Sequence, residues 1–102
     1  GNAPSNVSAT FAKITEKRSA IAAVSKKLSD LRTQVQKLNS EQERTRKNME
    51  ALAGTNEVAK FTAKLLKLEE EIVAMDEKIE KTESELAAAE NDFKTFLKTV
   101  KF

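Results

Sequence analysis

Cysteine, histidine, tryptophan and tyrosine are absent from these 102 residues, and only two glycines, one proline and five phenylalanines occur. Without Cys the chain has neither a disulfide nor a thiolate metal site, and without His it lacks the usual base near neutral pH and a common metal ligand. Cysteine usage therefore leaves the compartment open. No apolar run approaches the ~18 to 20 residues that span a bilayer, and the opening residues lack the charged and apolar regions of a signal peptide. A soluble product with no membrane span is expected. Gly1 in place of an initiating Met points to a trimmed chain, from which a signal or neighbouring domains can have been lost.

What the chain does have is charge and periodicity. It is 33% charged and 39% hydrophobic, the profile of long exposed helices rather than of a globule. At this length it makes one domain, and a two-helix domain encloses little core, so it should lean on a second copy or on the rest of a larger protein. The formal net charge of +2 argues neither for nor against nucleic acid.

From Val58 to Val100 the positions Val58, Phe61, Leu65, Leu68, Ile72, Met75, Ile79, Thr82, Leu86, Ala89, Phe93, Phe96 and Val100 follow at alternating steps of three and four, and only Thr82 is not apolar. That is a heptad seam, the stripe an underwound helix turns toward a partner. A second seam precedes it. Val7, Ile14, Ile21, Leu28, Val35, Gln42 and Met49 occupy one core position, and Thr10, Lys17, Val24, Leu31, Leu38, Thr45 and Leu52 follow three residues after each. Its middle is apolar, and its ends carry Lys17, Gln42 and Thr45.

Between the seams, Ala53-Gly54-Thr55-Asn56 is the one strong break, since Gly takes the left-handed conformation that ends a helix and Thr or Asn caps the next. The spacing predicts a flexible lead or remnant over 1–6, with Pro4 and Ser5 suited to a helix start, then helix one over about 7–53, a turn at 54–56 and helix two over about 57–101. Each helix, at about 45 residues, is ~70 Å long at 1.5 Å per residue. The fold class is all-α: two long helices in an antiparallel coiled-coil hairpin, able to pair into a four-helix bundle.

Folding at the break puts opposite one another core residues whose numbers sum to 110, such as Leu38 with Ile72, Leu31 with Ile79 and Val24 with Leu86. The same register sets Arg32 across from Asp76, Arg18 from Glu90, Lys27 from Glu85 and Phe11 from Leu97, with Glu41 and Glu71 as a repulsive pair. Residues 1–54 carry ten basic and five acidic groups and residues 55–102 carry eight and eleven, so the halves attract. Exposed pairs are worth only ~0 to 1 kcal/mol each, so charge selects register while the seam supplies stability. Leu31, Ile72, Ile79, Leu86 and Phe93 are expected to matter most.

Four features could carry a task. Arg44, Arg46 and Lys47 form a basic cluster that could bind the phosphates of a nucleic acid, but Glu41, Glu43 and Glu50 interrupt it, no aromatic stands by to stack on bases, and Glu43 can pair with Lys47. Gln42 and Thr45 place polar groups in the seam, which reads as register control or as a local opening; Lys17, opposite Phe93, can lay its stem over the ring. Glu69, Glu70 and Glu71, or Asp76 with Glu80, are carboxylate clusters on a convex surface, where two helices leave no concave pocket, so catalytic, metal and cofactor-binding residues are not expected and neither is an enzyme. Ala59, Ala63, Leu66 and Val73 lie on one stripe outside the main seam, and Ala20, Ala22 and Ala23 come near Ala87 and Ala88; Leu66 and Val73 have no reason to be exposed in an isolated hairpin.

The run Gln42-Glu43-Arg44-Thr45-Arg46-Lys47-Asn48-Met49-Glu50-Ala51-Leu52, with the heptad helix after it, resembles a helical hairpin of bacterial mucoidy-inhibitor-like proteins of unknown function. That pattern reads Gln-x-Arg-Ile-Arg-x-Asn-x-x-x-Leu, with Thr45 here in the place of Ile, and the likeness covers residues 40–97. The resemblance implies a portion of a larger, exported or periplasmic protein whose other domains are mostly β, and it carries over no catalytic residue. The Trp-x-Gly turn of small secreted helical-hairpin effectors is replaced here by Ala53-Gly54-Thr55. The expected role is a structural, protein–protein interaction hairpin, self-associating or docking on other domains of its parent, with a nucleic-acid arm as the alternative.

Overall fold

The computed structural model describes residues 3–100, with side chains from residue 6 onward. Its elements are two, α1 (Ala3–Ala51) and α2 (Val58–Thr99), and the fold is an all-α helical hairpin. Helix α1 begins at Ala3, so the flexible lead expected over 1–6 is corrected for residues 3–6. Pro4 does not oppose this, because a proline in the first turn lacks only an N–H that would have no helical partner. The Ser5 side chain and residues 1, 2, 101 and 102 lie outside what is described.

The break falls at the predicted glycine but is wider than three residues, running from Leu52 to Glu57. Gly54, at φ +86°, is the one described residue with positive φ, a conformation in which a Cβ would crowd the backbone. The Leu52 N–H still donates to the Asn48 carbonyl at 3.1 Å, and the Ala53 N–H donates to Glu50 at 3.3 Å, so α1 tightens as it ends. Thr55 then holds both sides of the turn: its Oγ1 donates to the Leu52 carbonyl at 2.6 Å and accepts from the Glu57 N–H at 3.3 Å. This is the capping threonine the sequence led us to expect.

The chain divides into two compact units, Ser29–Glu80, which contains the turn, and Gly1–Leu28 with Lys81–Phe102, which contains the termini. In the turn unit Leu31, Leu68, Gln42 and Thr45 are buried; in the terminal unit Leu28 and Thr82 are. The register is the predicted one in each. In the turn unit Gln42 bonds Glu69 and Met49 meets the Thr62 hydroxyl, and in the terminal unit Lys17 pairs with Asp92 and Lys27 with Glu85; these pairs sum to between 109 and 112.

Burial follows the heptad pattern position by position. Among the described side chains every residue of both seams is buried or half-buried, and the only others so placed are Glu41 and Glu85. Both of those flank the seam and both are ion-paired, Glu41 to Lys64 and Glu85 to Lys27. The residues expected to matter most need revision. Leu31 is buried, but Ile72, Ile79, Leu86 and Phe93 are only half-buried, while Thr45 and Thr82 are each 2% exposed. One neighbouring helix covers one side of a side chain, so a small β-branched residue disappears into the hole opposite and a large one protrudes from it.

Candidate interaction surface

On α2 in the turn unit, Ala59, Leu66 and Val73 stand seven residues apart, with Ala63 four residues after Ala59 and three before Leu66. At 3.6 residues per turn this puts the four on one side of the helix, away from the seam line of Phe61, Leu65, Leu68 and Ile72. All four are exposed, Leu66 to 64% and Val73 to 52%. Exposing a side chain of that size forgoes roughly 1.5 to 3 kcal/mol of burial. Glu69 and Asp76 border the line on the side that faces α1, and Glu70 and Glu77 border it on the outer side, so the apolar stripe lies between carboxylates. Among the described residues of the terminal unit the exposed large apolar residues are Phe11 and Leu97, expected to widen the seam contact and each about half exposed.

The basic cluster is not a converging site. Arg44 donates to the Glu41 carboxylate at 3.1 Å and Arg46 lies 3.9 Å from Glu43, each pair one turn apart; Glu43 thus pairs with Arg46, where Lys47 was expected. Three positions two and three residues apart also point in different directions: Lys47 neighbours Arg44 on the outer face with Asn39 and Ser40, while Arg46 lies nearer the seam.

Glu41 joins the polar groups of the turn unit. Its carboxylate accepts from Lys64 at 2.8 Å as well as from Arg44, and the hydrogen bond and charge of Lys64, then the charge of Arg44, hold its pKa below the ordinary carboxylate value. The expected repulsion with Glu71 is therefore overridden by two cations. Next to it, the Thr45 hydroxyl donates to the Glu41 carbonyl at 2.7 Å and the Gln42 amide donates to Glu69, so the polar residues in the seam have partners. These side chains favour register control over a local opening, since a slipped alignment would bury them unpaired.

Sequence reasoning missed a concavity. Gln34, Lys37, Leu38, Glu41, Leu68, Glu71, Ala74 and Met75 line an open groove of about 540 Å³ between the helices of the turn unit, which corrects the expectation that two helices leave none. The seam residues Leu38, Leu68 and Met75 give it an apolar part, and Gln34, Lys37, Glu41 and Glu71 a polar one.

In the terminal unit, Lys17 lies with its ammonium 5.2 Å from the Phe96 ring centroid and donates to Asp92 at 2.7 Å. The expected packing of the Lys17 stem over Phe93 is corrected: it is the ammonium that lies over a ring, the ring is Phe96, and the charge has a carboxylate partner. Lys13 reaches the same ring at 6.0 Å. Among the described residues, no acidic cluster is arranged to hold a metal ion, and no helix is long and apolar enough to cross a membrane. No family model, curated protein or solved structure matches the chain.

Proposed function

We propose that the chain is a structural, protein–protein interaction hairpin whose seam is a left-handed antiparallel coiled coil and whose α2 line of Ala59, Ala63, Leu66 and Val73 docks another helix. The observation that carries this is the exposure of Leu66 and Val73: two large apolar side chains, one heptad apart, stand on the solvent side of a helix whose seam is already served by α1. Apolar surface in that pattern is what a third or fourth helix covers. The hairpin acts by burial of apolar surface and takes no part in bond chemistry. The resemblance of residues 40–97 supports a larger bacterial, exported parent. The nucleic-acid reading gains nothing from Arg44, Arg46 and Lys47, since the two arginines are paired to carboxylates one turn away.

A photo-crosslinking residue in place of Ala63, in the chain expressed in its native cell, tests the reading. It should yield a discrete protein adduct, while the same residue in place of Lys47 on α1 yields none. Absence of an adduct at Ala63, or equal diffuse labelling at both positions, would overturn it.

A further inference from the structure

The stripe on α2 is edged by charge of one sign, which bears on the kind of helix it takes. We infer that Ala59, Leu66 and Val73 receive a basic amphipathic helix of another protein, whose apolar line covers theirs and whose lysines or arginines meet the carboxylates on both sides. This rests on the docking reading above and adds the chemistry of the partner.

Leu66 and Val73 are exposed to 64% and 52%, and Glu80, one heptad after Val73, ends their line with a carboxylate. Glu69 and Asp76 border the line toward α1, and Glu70 and Glu77 border it on the outer side; all five carboxylates are exposed. At 3.6 residues per turn they lie within roughly 80° of Leu66, whereas Lys67, the nearest lysine of α2 in the turn unit, is turned about 100° away. None of the five meets a lysine or arginine. Glu69 accepts from the Gln42 amide, and the other four have no partner among the described residues. The arginines on the near edge of α1 are engaged, Arg46 with Glu43 and Arg32 with a partner other than these carboxylates. Glu41 and Glu57, in the same unit, do have lysines, Lys64 and Lys60.

An apolar line edged by unanswered negative charge selects a partner edged by positive charge, because flanking charges set partner choice at a helix seam and like charges across it are penalised. A nucleic acid, an anionic membrane or α2 of a second copy would each bring negative charge to these carboxylates, while the outer face of α1 carries lysine and arginine but no apolar line. From Ala59 to Val73 the line runs ~21 Å at 1.5 Å per residue, the length of about four helical turns of a partner.

The test titrates the 102-residue chain into two labelled synthetic helical peptides that share one leucine line, the first flanked by lysines and the second by glutamates, with fluorescence anisotropy as the readout. The lysine peptide should bind at least about tenfold more tightly than the glutamate peptide. Leu66→Ser with Val73→Ser should weaken that binding by at least about tenfold while leaving the far-UV circular dichroism unchanged. Neutralising the border with Glu69→Gln, Glu70→Gln, Asp76→Asn, Glu77→Gln and Glu80→Gln should abolish the preference between the peptides. No binding of the lysine peptide, equal binding of both, or binding that survives Leu66→Ser with Val73→Ser would overturn the inference. In the cell, the Ala63 adduct should map to a helix with lysines or arginines beside its apolar line. An adduct that maps to a second copy, or to an acidic or neutral segment, would overturn the basic partner and leave the docking reading standing; no adduct would remove both.

Discussion

Within the turn unit the two helices share a seam but differ on their outward faces. Helix α1 presents Thr33, Gln36, Lys37, Ser40, Arg44 and Lys47, polar throughout, whereas α2 presents Ala59, Ala63, Leu66 and Val73. Both faces are exposed, both helices are regular, and each already has its partner in the other. Helix formation and seam burial therefore account for α1 completely and for α2 only in part. An exposed apolar line outside the seam is the feature on which the proposed docking rests.

The sharpest way to break this comparison uses two leucines on the same helix. Leu68 is buried in the seam and Leu66, two residues earlier, is exposed. Leu68→Ala should cost about 2 to 5 kcal/mol in urea denaturation, while Leu66→Ala at low protein concentration should stay within about 0.5 kcal/mol of the parent. Equal losses would place Leu66 in the fold rather than on a docking surface.

A smaller effect belongs to the turn that pairs the two helices. A Cβ at Gly54 would meet nothing within 4 Å, so Gly54→Ala is strained by φ alone and should cost about 1 to 2 kcal/mol. A loss much larger than that, read in the same denaturation experiment, would mean that the turn itself is rearranged.

The polar seam residues sharpen the difference between stability and register. Gln42→Leu should be neutral or stabilising by on the order of 1 kcal/mol, because an amide is removed from the seam in exchange for an apolar group of similar size. A loss of several kcal/mol in the thermal midpoint would show that the bond to Glu69 contributes more than register.

The smallest effect is acidic. The Glu41 carboxyl has a lowered pKa in the folded chain, so its contribution is present above about pH 4.3, the unfolded value, and is lost as pH falls through the lower folded value. Because the half-buried carboxylate still keeps contact with water the change is slight. Lys64→Met should flatten the stability profile in that acid range and leave it unchanged near neutrality; an unaltered acid limb would exclude Lys64 as the cause.

Much of the fold was legible because a heptad pattern is itself a statement about burial. Every seam position read from spacing is covered, and the turn sits at the glycine the spacing left over. Helix α1 starts at Ala3, earlier than the seam spacing predicts, because the heptad pattern marks only residues that face a partner and a first-turn proline is compatible with helix. Which seam residues are most deeply covered was not legible either, since the pattern gives direction and not the width of the partner: Thr45 and Thr82 vanish where Ile79 and Phe93 protrude. The groove lined by Leu38, Leu68 and Met75 depends on how side chains beside the seam pack, and the pairing of Lys17 with Asp92 depends on a long side chain reaching past its opposite number. Leu66 and Val73 were found from the sequence because they break the polar pattern of an outer face.

The central claim is that the seam folds the chain and the α2 stripe lies outside that fold. Its most direct test is the urea denaturation of the parent chain and of the Leu66→Asp, Val73→Asp variant at the same low protein concentration. Because both side chains are exposed, the two unfolding free energies should agree within about 0.5 kcal/mol. A variant clearly less stable than the parent would contradict it.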